Sequence, residues 1–185
     1  MSALTVYQVD QPGMGTTVRD FSGIAEQLKA IGVHFERWLA ETEFETNAEP
    51  QTVMDAYKGS IAALKQQYGF QSVDVISLKP DHPSKQQLRQ KFLSEHTHSD
   101  FEVRFFVEGH GLFFLHVTDK VYAVLCEQGD LISVPANTTH WFDMGSEPDF
   151  KCIRLFTSED GWVADFTGST IAERFPTLDQ YLAAL

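Results

Sequence analysis

Cysteine is nearly absent from this chain: Cys126 and Cys152 are the only two in 185 residues. That excludes the disulfide framework that small secreted domains use in place of a core. Free thiols in a cytoplasmic protein are the expectation. A single bridge stays open, because both residues fall in segments that read as neighbouring strands. Positive charge is also scarce. Fourteen Lys and Arg stand against 26 Asp and Glu, a formal net charge of −12. Such a balance repels nucleic-acid phosphates and anionic lipid. No basic run offsets it and no helix-turn-helix pattern appears, which argues against a DNA-binding regulator. No apolar stretch approaches the ~20 residues that a helix needs to cross a bilayer. The segment Met1-Ser-Ala-Leu-Thr-Val-Tyr7 lacks a charged start followed by an apolar core, so no export signal is expected. The Asn137-Thr-Thr sequon is then expected to stay unglycosylated. Repeats, low-complexity tracts, linkers and heptads are missing too, and a monomer is expected.

What is present is apolar and aromatic. Hydrophobic residues make up 43% of the chain and phenylalanine alone contributes 15, enough for one domain with a real core. Large flat rings suit the space between two sheets. Residues 3–9 alternate loosely as a strand. Ile24, Leu28 and Ile31 share a helical face, with Ser22 as cap and Gly32 as stop. A second helix carries Val53, Tyr57, Leu64 and Tyr68, with Thr52 and Asp55 as a capping box and Gly69 as stop. Val73 to Leu78 reads as a strand, and Pro83 opens a third short helix holding Leu88 and Phe92.

After residue 95 strand signals recur at 101–107, 112–117, 121–126, 131–134, 140–143 and 150–156. Gly109-His-Gly111, Asp119-Lys120, Gln128-Gly129-Asp130 and Gly145-Ser-Glu-Pro148 read as the turns between them. A short helix near Ser169–Phe175 and a frayed tail close the chain. The expected fold is mainly β with α: an antiparallel barrel or jelly roll with helices of the N-terminal half packed on it. The expected organisation is one domain over 1–185. Residues 1–94 form a helix-and-strand part, 95–157 a metal-binding barrel core, and 158–185 a tail.

The chemistry concentrates in two short segments, His96-Thr-His98-Ser-Asp-Phe-Glu102 and Gly129-Asp-Leu-Ile-Ser-Val-Pro135-Ala-Asn-Thr-Thr-His140. Strand side chains repeat every two residues, so His96 and His98 share a face, as do Glu102 and Arg104. A barrel turns that face inward, where a later strand can deliver His140. Single histidines are usually ordinary core or surface residues, and His34, His82, His110 and His116 are read so. Two histidines and a glutamate among Val103, Phe105, Phe106 and Val107 are different, since a buried unpaired carboxylate is costly. A cation satisfies all three. Three imidazoles and a carboxylate suit a divalent first-row transition metal better than calcium, which takes oxygen.

These segments resemble the two cupin motifs, as His96-x-His98-x3-Glu102-x6-Gly109 and Gly129-x5-Pro135-x4-His140. Gln90 and Met144 stand where the motifs carry glycine and asparagine. A closer resemblance is to the bacterial-type acireductone dioxygenase family. It rests on Phe35-Glu-Arg-Trp38, Glu95-His-Thr-His98, Glu102-Val-Arg-Phe-Phe-Val-Glu108, Leu131-Ile-Ser-Val-Pro135, His140-Trp-Phe-Asp-Met-Gly145 and Gly161-Trp162. Phe101 departs from it, standing where an aspartate is expected.

The resemblance implies a dioxygenase of methionine salvage that cleaves an ene-diol ketone with a methylthioethyl tail, bound as a dianion, with O2. It implies one ferrous iron or nickel ion per chain, held by His96, His98, Glu102 and His140. Four ligands on an octahedral metal leave two positions for substrate oxygens. With iron the products are formate and the 2-keto acid precursor of methionine. With nickel they are a shorter carboxylic acid, formate and carbon monoxide. Arg104 is expected to hold the dianion. Arg154 is a weaker second candidate, equally readable as the partner of Glu147, Asp149 or another acid. Phe142, Trp162 and Phe92 are expected to wall the apolar tail. Glu95, on the opposite face from His96, is expected to support the ligands or metal loading. Another cupin enzyme (a manganese decarboxylase or sugar isomerase) and a non-enzymatic ligand-binding cupin are the alternatives.

Overall fold

The computed structural model describes residues 1–46, 48–158 and 163–185. The chain opens with a hairpin, β1 (Ala3–Gln8) and β2 (Gln11–Val18), followed by α1 (Phe21–Ala30) and β3 (His34–Arg37). Next come α2 (Pro50–Ala56), α3 (Lys58–Tyr68), β4 (Ser72–Leu78) and α4 (Lys85–Leu93). The strands then crowd together: β5 (His96–Thr97), β6 (Glu102–Val117), β7 (Lys120–Glu127), β8 (Asp130–Val134), β9 (Thr139–Asp143) and β10 (Phe150–Phe156). After β11 (Asp165–Phe166), a single 3-10 turn (Ile171–Arg174) and α5 (Leu178–Ala184) finish the chain. No helix among the described residues is long and apolar enough to cross a membrane.

Every strand pairing is antiparallel. One layer runs β11-β5-β9-β6-β7-β1-β2, and the other carries β4, β10, β6, β8 and β3. Strand β6 belongs to both. Its first residues, Glu102 to Phe105, pair with β8, and its last, from His110 on, pair with β7. The passage between layers is at Gly109, whose φ is +71°. A Cβ there would meet the Asp149 carbonyl oxygen at 2.0 Å, so only glycine fits. The expected turn at Gly109-His-Gly111 is therefore a correction. The strand bends and continues, with a bulge in its pairing to β10.

Alternation along β6 sorts its side chains. Val103, Phe105 and Val107 face outward and pack under α2 and α3 with Val53, Tyr57, Ile61 and Leu64. Phe106 and Phe113 face inward, into the barrel-like space between the layers, with Ile132, Phe142, Phe150 and the two thiols. Leu112 and Phe114 face the other flank, where Trp141, Phe175, Leu178 and Tyr181 cover them. Cys126 and Cys152 are free and buried. Burial pushes the Cys152 thiol up to about 12, which keeps it protonated.

Several local expectations are corrected. Asp20, not Ser22, caps α1, its carboxylate accepting from Gly23 N. The expected second helix breaks into α2 and α3 at Tyr57, and Pro50 starts it with no Thr52–Asp55 box. Strands β2 and β3 escape the reading of periodicity. β2 is an exposed edge rich in Gly and Thr, with no apolar alternation to detect. The tail is not frayed: Thr177 and Gln180 form a reciprocal capping box, and Leu178 and Tyr181 are buried.

Candidate metal centre

β5 is only two residues long and carries His96 directly opposite His140 of β9. His98 follows two residues on, and Glu102 is the first residue of β6. Their donor atoms all lie within 4.8 Å of one another, and all four residues are buried. Each imidazole is oriented by its other nitrogen. Nδ1 of His96 donates to Ser94 O at 2.6 Å, Nδ1 of His140 to Thr138 O at 2.7 Å, and Nδ1 of His98 to Val163 O at 2.8 Å. A carbonyl only accepts, so the proton sits on Nδ1 and the Nε2 lone pair is free to bind a metal.

The residues fit a metal. Glu102 Oε2 and His140 Nε2 are 2.6 Å apart, yet neither has an aligned hydrogen-bond partner. Two lone pairs facing each other in a dry site call for a cation between them. Nitrogen and oxygen ligands about 2.1 Å from one ion lie about 3 Å apart in cis and about 4.2 Å in trans, compatible with this cluster. Burial, then His140, lowers the His96 pKa to about 4, so His96 is neutral and ready to ligate at neutral pH. Burial alone would raise Glu102, but Arg104 and His140 override it and hold the carboxyl well below its ordinary range. Burial would likewise lower His140, and Glu102 reverses that.

Arg104 points the same way as Glu102. It is 5% exposed, and its Nε is 2.8 Å from Glu102 Oε1 but off the hydrogen-bond axis. Rings of Phe142, Phe92 and Phe113 surround the guanidinium at 4.9, 5.4 and 5.7 Å. Buried donors on Nε and Nη1 have no aligned partner among the described residues. A cavity of about 210 Å³ runs from His96, His98 and Glu102 past Arg104 to Phe92, Phe142, Ile76, Leu88, Phe156 and Phe166. It is cationic and metal-competent at one end and apolar at the other.

The remaining expected residues divide. Phe92 and Phe142 line this cavity, and so does Arg154. The Arg154 fork is taken by Asp74, at 2.9 Å from Nε and 2.6 Å from Nη2. Glu147 and Asp149 pair instead with Lys85 and Lys79. Trp162 and Gly161 lie outside the described residues. The Glu95 carboxylate holds His116 Nδ1 at 2.8 Å and Thr167 Oγ1 at 2.7 Å, anchoring β5 beside the site with no hydrogen bond to a ligand. Phe101 packs on Tyr68 and Phe70. Its neighbour Asp100 accepts from Thr157 N and Ser158 N at 2.7 and 3.1 Å, fastening the ligand loop to the end of β10.

Sequence reasoning misses the support beneath the site. Asp143 ends the strand that carries His140 and Phe142. Its carboxylate accepts from Arg89 Nε and Nη2 at 2.8 and 3.0 Å, from Gly145 N at 2.9 Å and from Leu178 N at 2.8 Å. It thereby ties α4, β9 and α5 together. Burial would raise its pKa, but Arg89 and the two amides hold it below the ordinary 3.8. A depressed folded pKa gives stability that is present above the unfolded value and lost as pH falls through the folded one. Asp143→Asn is therefore expected to cost about 2 kcal/mol at neutral pH. The gap between parent and variant in thermal unfolding should hold from pH 7 to 5 and shrink below about 4. A gap independent of pH would contradict this role.

The model of the ARD/ARD' family matches residues 7–164 of this chain. Acireductone dioxygenase of Methylococcus capsulatus is 60% identical over 182 residues, covering 98% of both chains. The same enzyme from Aquifex aeolicus is 55% identical over 180 residues, 97% of this chain and 98% of the relative. The solved structure of acireductone dioxygenase from Bacillus anthracis, with a cadmium ion in its active center, superposes with a TM-score of 0.79. It is 31% identical and is matched over 90% of this chain and 98% of its own.

Proposed function

The chain belongs to the ARD/ARD' family, and from that premise we infer that it is a metal-dependent dioxygenase that cleaves an acireductone with O2. One observation carries the reading: a buried His-His-Glu-His cluster opens onto the same small cavity as a buried arginine with unmet donors. His96, His98, Glu102 and His140 would hold the ion, and iron or nickel suits this nitrogen-rich set. When bound, the ion would supply a Lewis acid and an anchor for the substrate oxygens.

The chain's own residues do the rest. Arg104 presents its fork to the anionic oxygens of the ene-diol in a site where water does not screen the charge. Its aromatic collar desolvates the guanidinium and fixes its plane. The methylthioethyl tail lies along Phe92, Phe142, Leu88 and Ile76, opposite the metal end. The carbonyls of Ser94, Val163 and Thr138 keep all three Nε2 atoms turned inward.

Either ion can take the same four ligands, so the metal is expected to set where the carbon chain is cut. Protein stripped of metal and refilled with ferrous iron should give formate and the 2-keto acid of methionine. A nickel-filled batch given the same acireductone should release carbon monoxide with formate and the shorter acid. Identical products from both batches would refute control of regiochemistry by the metal here.

A further inference from the structure

The metal cavity has an open end and a closed one. At the metal end Phe166 of β11 lies beside the His96 ring, with centroids 5.7 Å apart, and is 47% exposed. That side opens to solvent. The other end is built where β4 passes into α4. Ile76 is two residues before the end of β4, and Leu88 lies in the first turn of α4. The connection between them is short and bonded to itself. His82 N donates to Lys79 O at 3.0 Å, Lys85 N to His82 O at 3.1 Å and Leu88 N to Ser84 O at 3.0 Å. The chain itself seals this end. Ile76 and Leu88 are partly buried, line the cavity and pack on the inward core that holds Phe106 and Cys152.

Strand register gives the direction and the length. Arg104 of β6 is opposite Arg154 of β10, which is opposite Asp74 of β4. The next row on the same face is Phe106, Cys152 and Ile76. Ile76 is thus two strands across and two residues along from Arg104, on the side away from Glu102. At ~4.8 Å per strand and ~3.3 Å per residue, the two backbones are roughly 12 Å apart. Helix α4 repeats the layout on the facing wall. Phe92 lies against the Arg104 guanidinium at 5.4 Å, and Leu88 is one turn back on the same helical face, about 6 Å along the axis. Arg154, between the two rows, is drawn away: Asp74 holds its fork and the Phe156 ring lies 5.4 Å from its guanidinium carbon. The closed end is left apolar.

Resting on the acireductone reading, we propose that Ile76, together with Leu88, sets the length of substrate tail that this site accepts. A head held at the metal and Arg104 sends the tail toward the closed end. A methylthioethyl tail ends against Ile76 and Leu88, and a tail longer by two methylenes collides with them.

The test is oxygen uptake by the iron-loaded chain with three acireductones, carrying an ethyl, a methylthioethyl or a propylthioethyl tail, compared by kcat/KM. The parent is expected to favour methylthioethyl over propylthioethyl by about tenfold or more. Ile76→Ala should bring that ratio near one or invert it. Leu88→Ala, on the other wall, should shift it the same way, and it decides the matter if Ile76→Ala folds poorly. Ile76→Phe should lose about tenfold or more on methylthioethyl and turn over the ethyl substrate like the parent. Metal content should equal the parent's in every variant. Val75→Ala is the control. Val75 faces the opposite way on β4, into the cluster under α2 and α3, so its truncation should lower thermal stability and leave the ratio unchanged. An unchanged ratio in folded Ile76→Ala and Leu88→Ala, or an equal change in Val75→Ala, overturns the proposal while the dioxygenase reading stands. No uptake by the parent with any of the three substrates overturns that reading and the proposal together.

Discussion

His98→Ala is expected to lose at least about 100-fold in metal affinity, and turnover with it. All four donors lie within 4.8 Å of one another, so removing one leaves a three-ligand site open to water. Of the three imidazoles, His98 is the only one oriented by a distant residue, Val163, since the other two bond carbonyls two residues away. Its loss therefore also removes one of the ties between the ligand loop and the segment after β10. Metal analysis after equilibrium dialysis against a fixed free concentration of nickel checks this. Full occupancy in the variant would remove His98 from the ligand set.

Arg104→Ala is expected to retain its metal while turnover falls by about 10²–10³-fold. The guanidinium is buried, contacts Glu102, and keeps donors unmet beside the metal cluster. In the loaded protein the metal neutralises Glu102, so truncation leaves no uncompensated carboxylate, and thermal stability should stay near that of the parent. Arg104→Lys should recover only part of the rate, because an ammonium is a point charge without a planar fork. Normal turnover per folded molecule with a large loss of stability would make Arg104 a structural residue.

The ligand cluster was legible because it rests on two rules that act locally. Strand alternation puts His96 with His98 and Glu102 with Arg104, and costly polar groups do not enter an apolar strand without a partner. The same alternation placed Phe142 beside His140 on the cavity side. What stayed hidden depends on other things. The bend at Gly109 reads as a turn, because glycine signals positive φ without saying whether the chain reverses or passes between layers. The Arg89–Asp143 bridge joins residues 54 apart in sequence, and neither has a local pattern that names the other. The Val163 carbonyl that aims His98 is backbone and carries no residue signal. The break at Tyr57 leaves the apolar period of the helix intact, so periodicity runs straight through it.

Oxygen consumption is the most direct test of the central claim. The purified chain, stripped of metal and then refilled with one equivalent of ferrous iron, is given an acireductone in an oxygen-electrode cell. Uptake of one O2 per acireductone, with formate formed in step and only the slow background rate before refilling, is the predicted result. No uptake above background after refilling, with the four-residue site shown to be fully loaded, would contradict it.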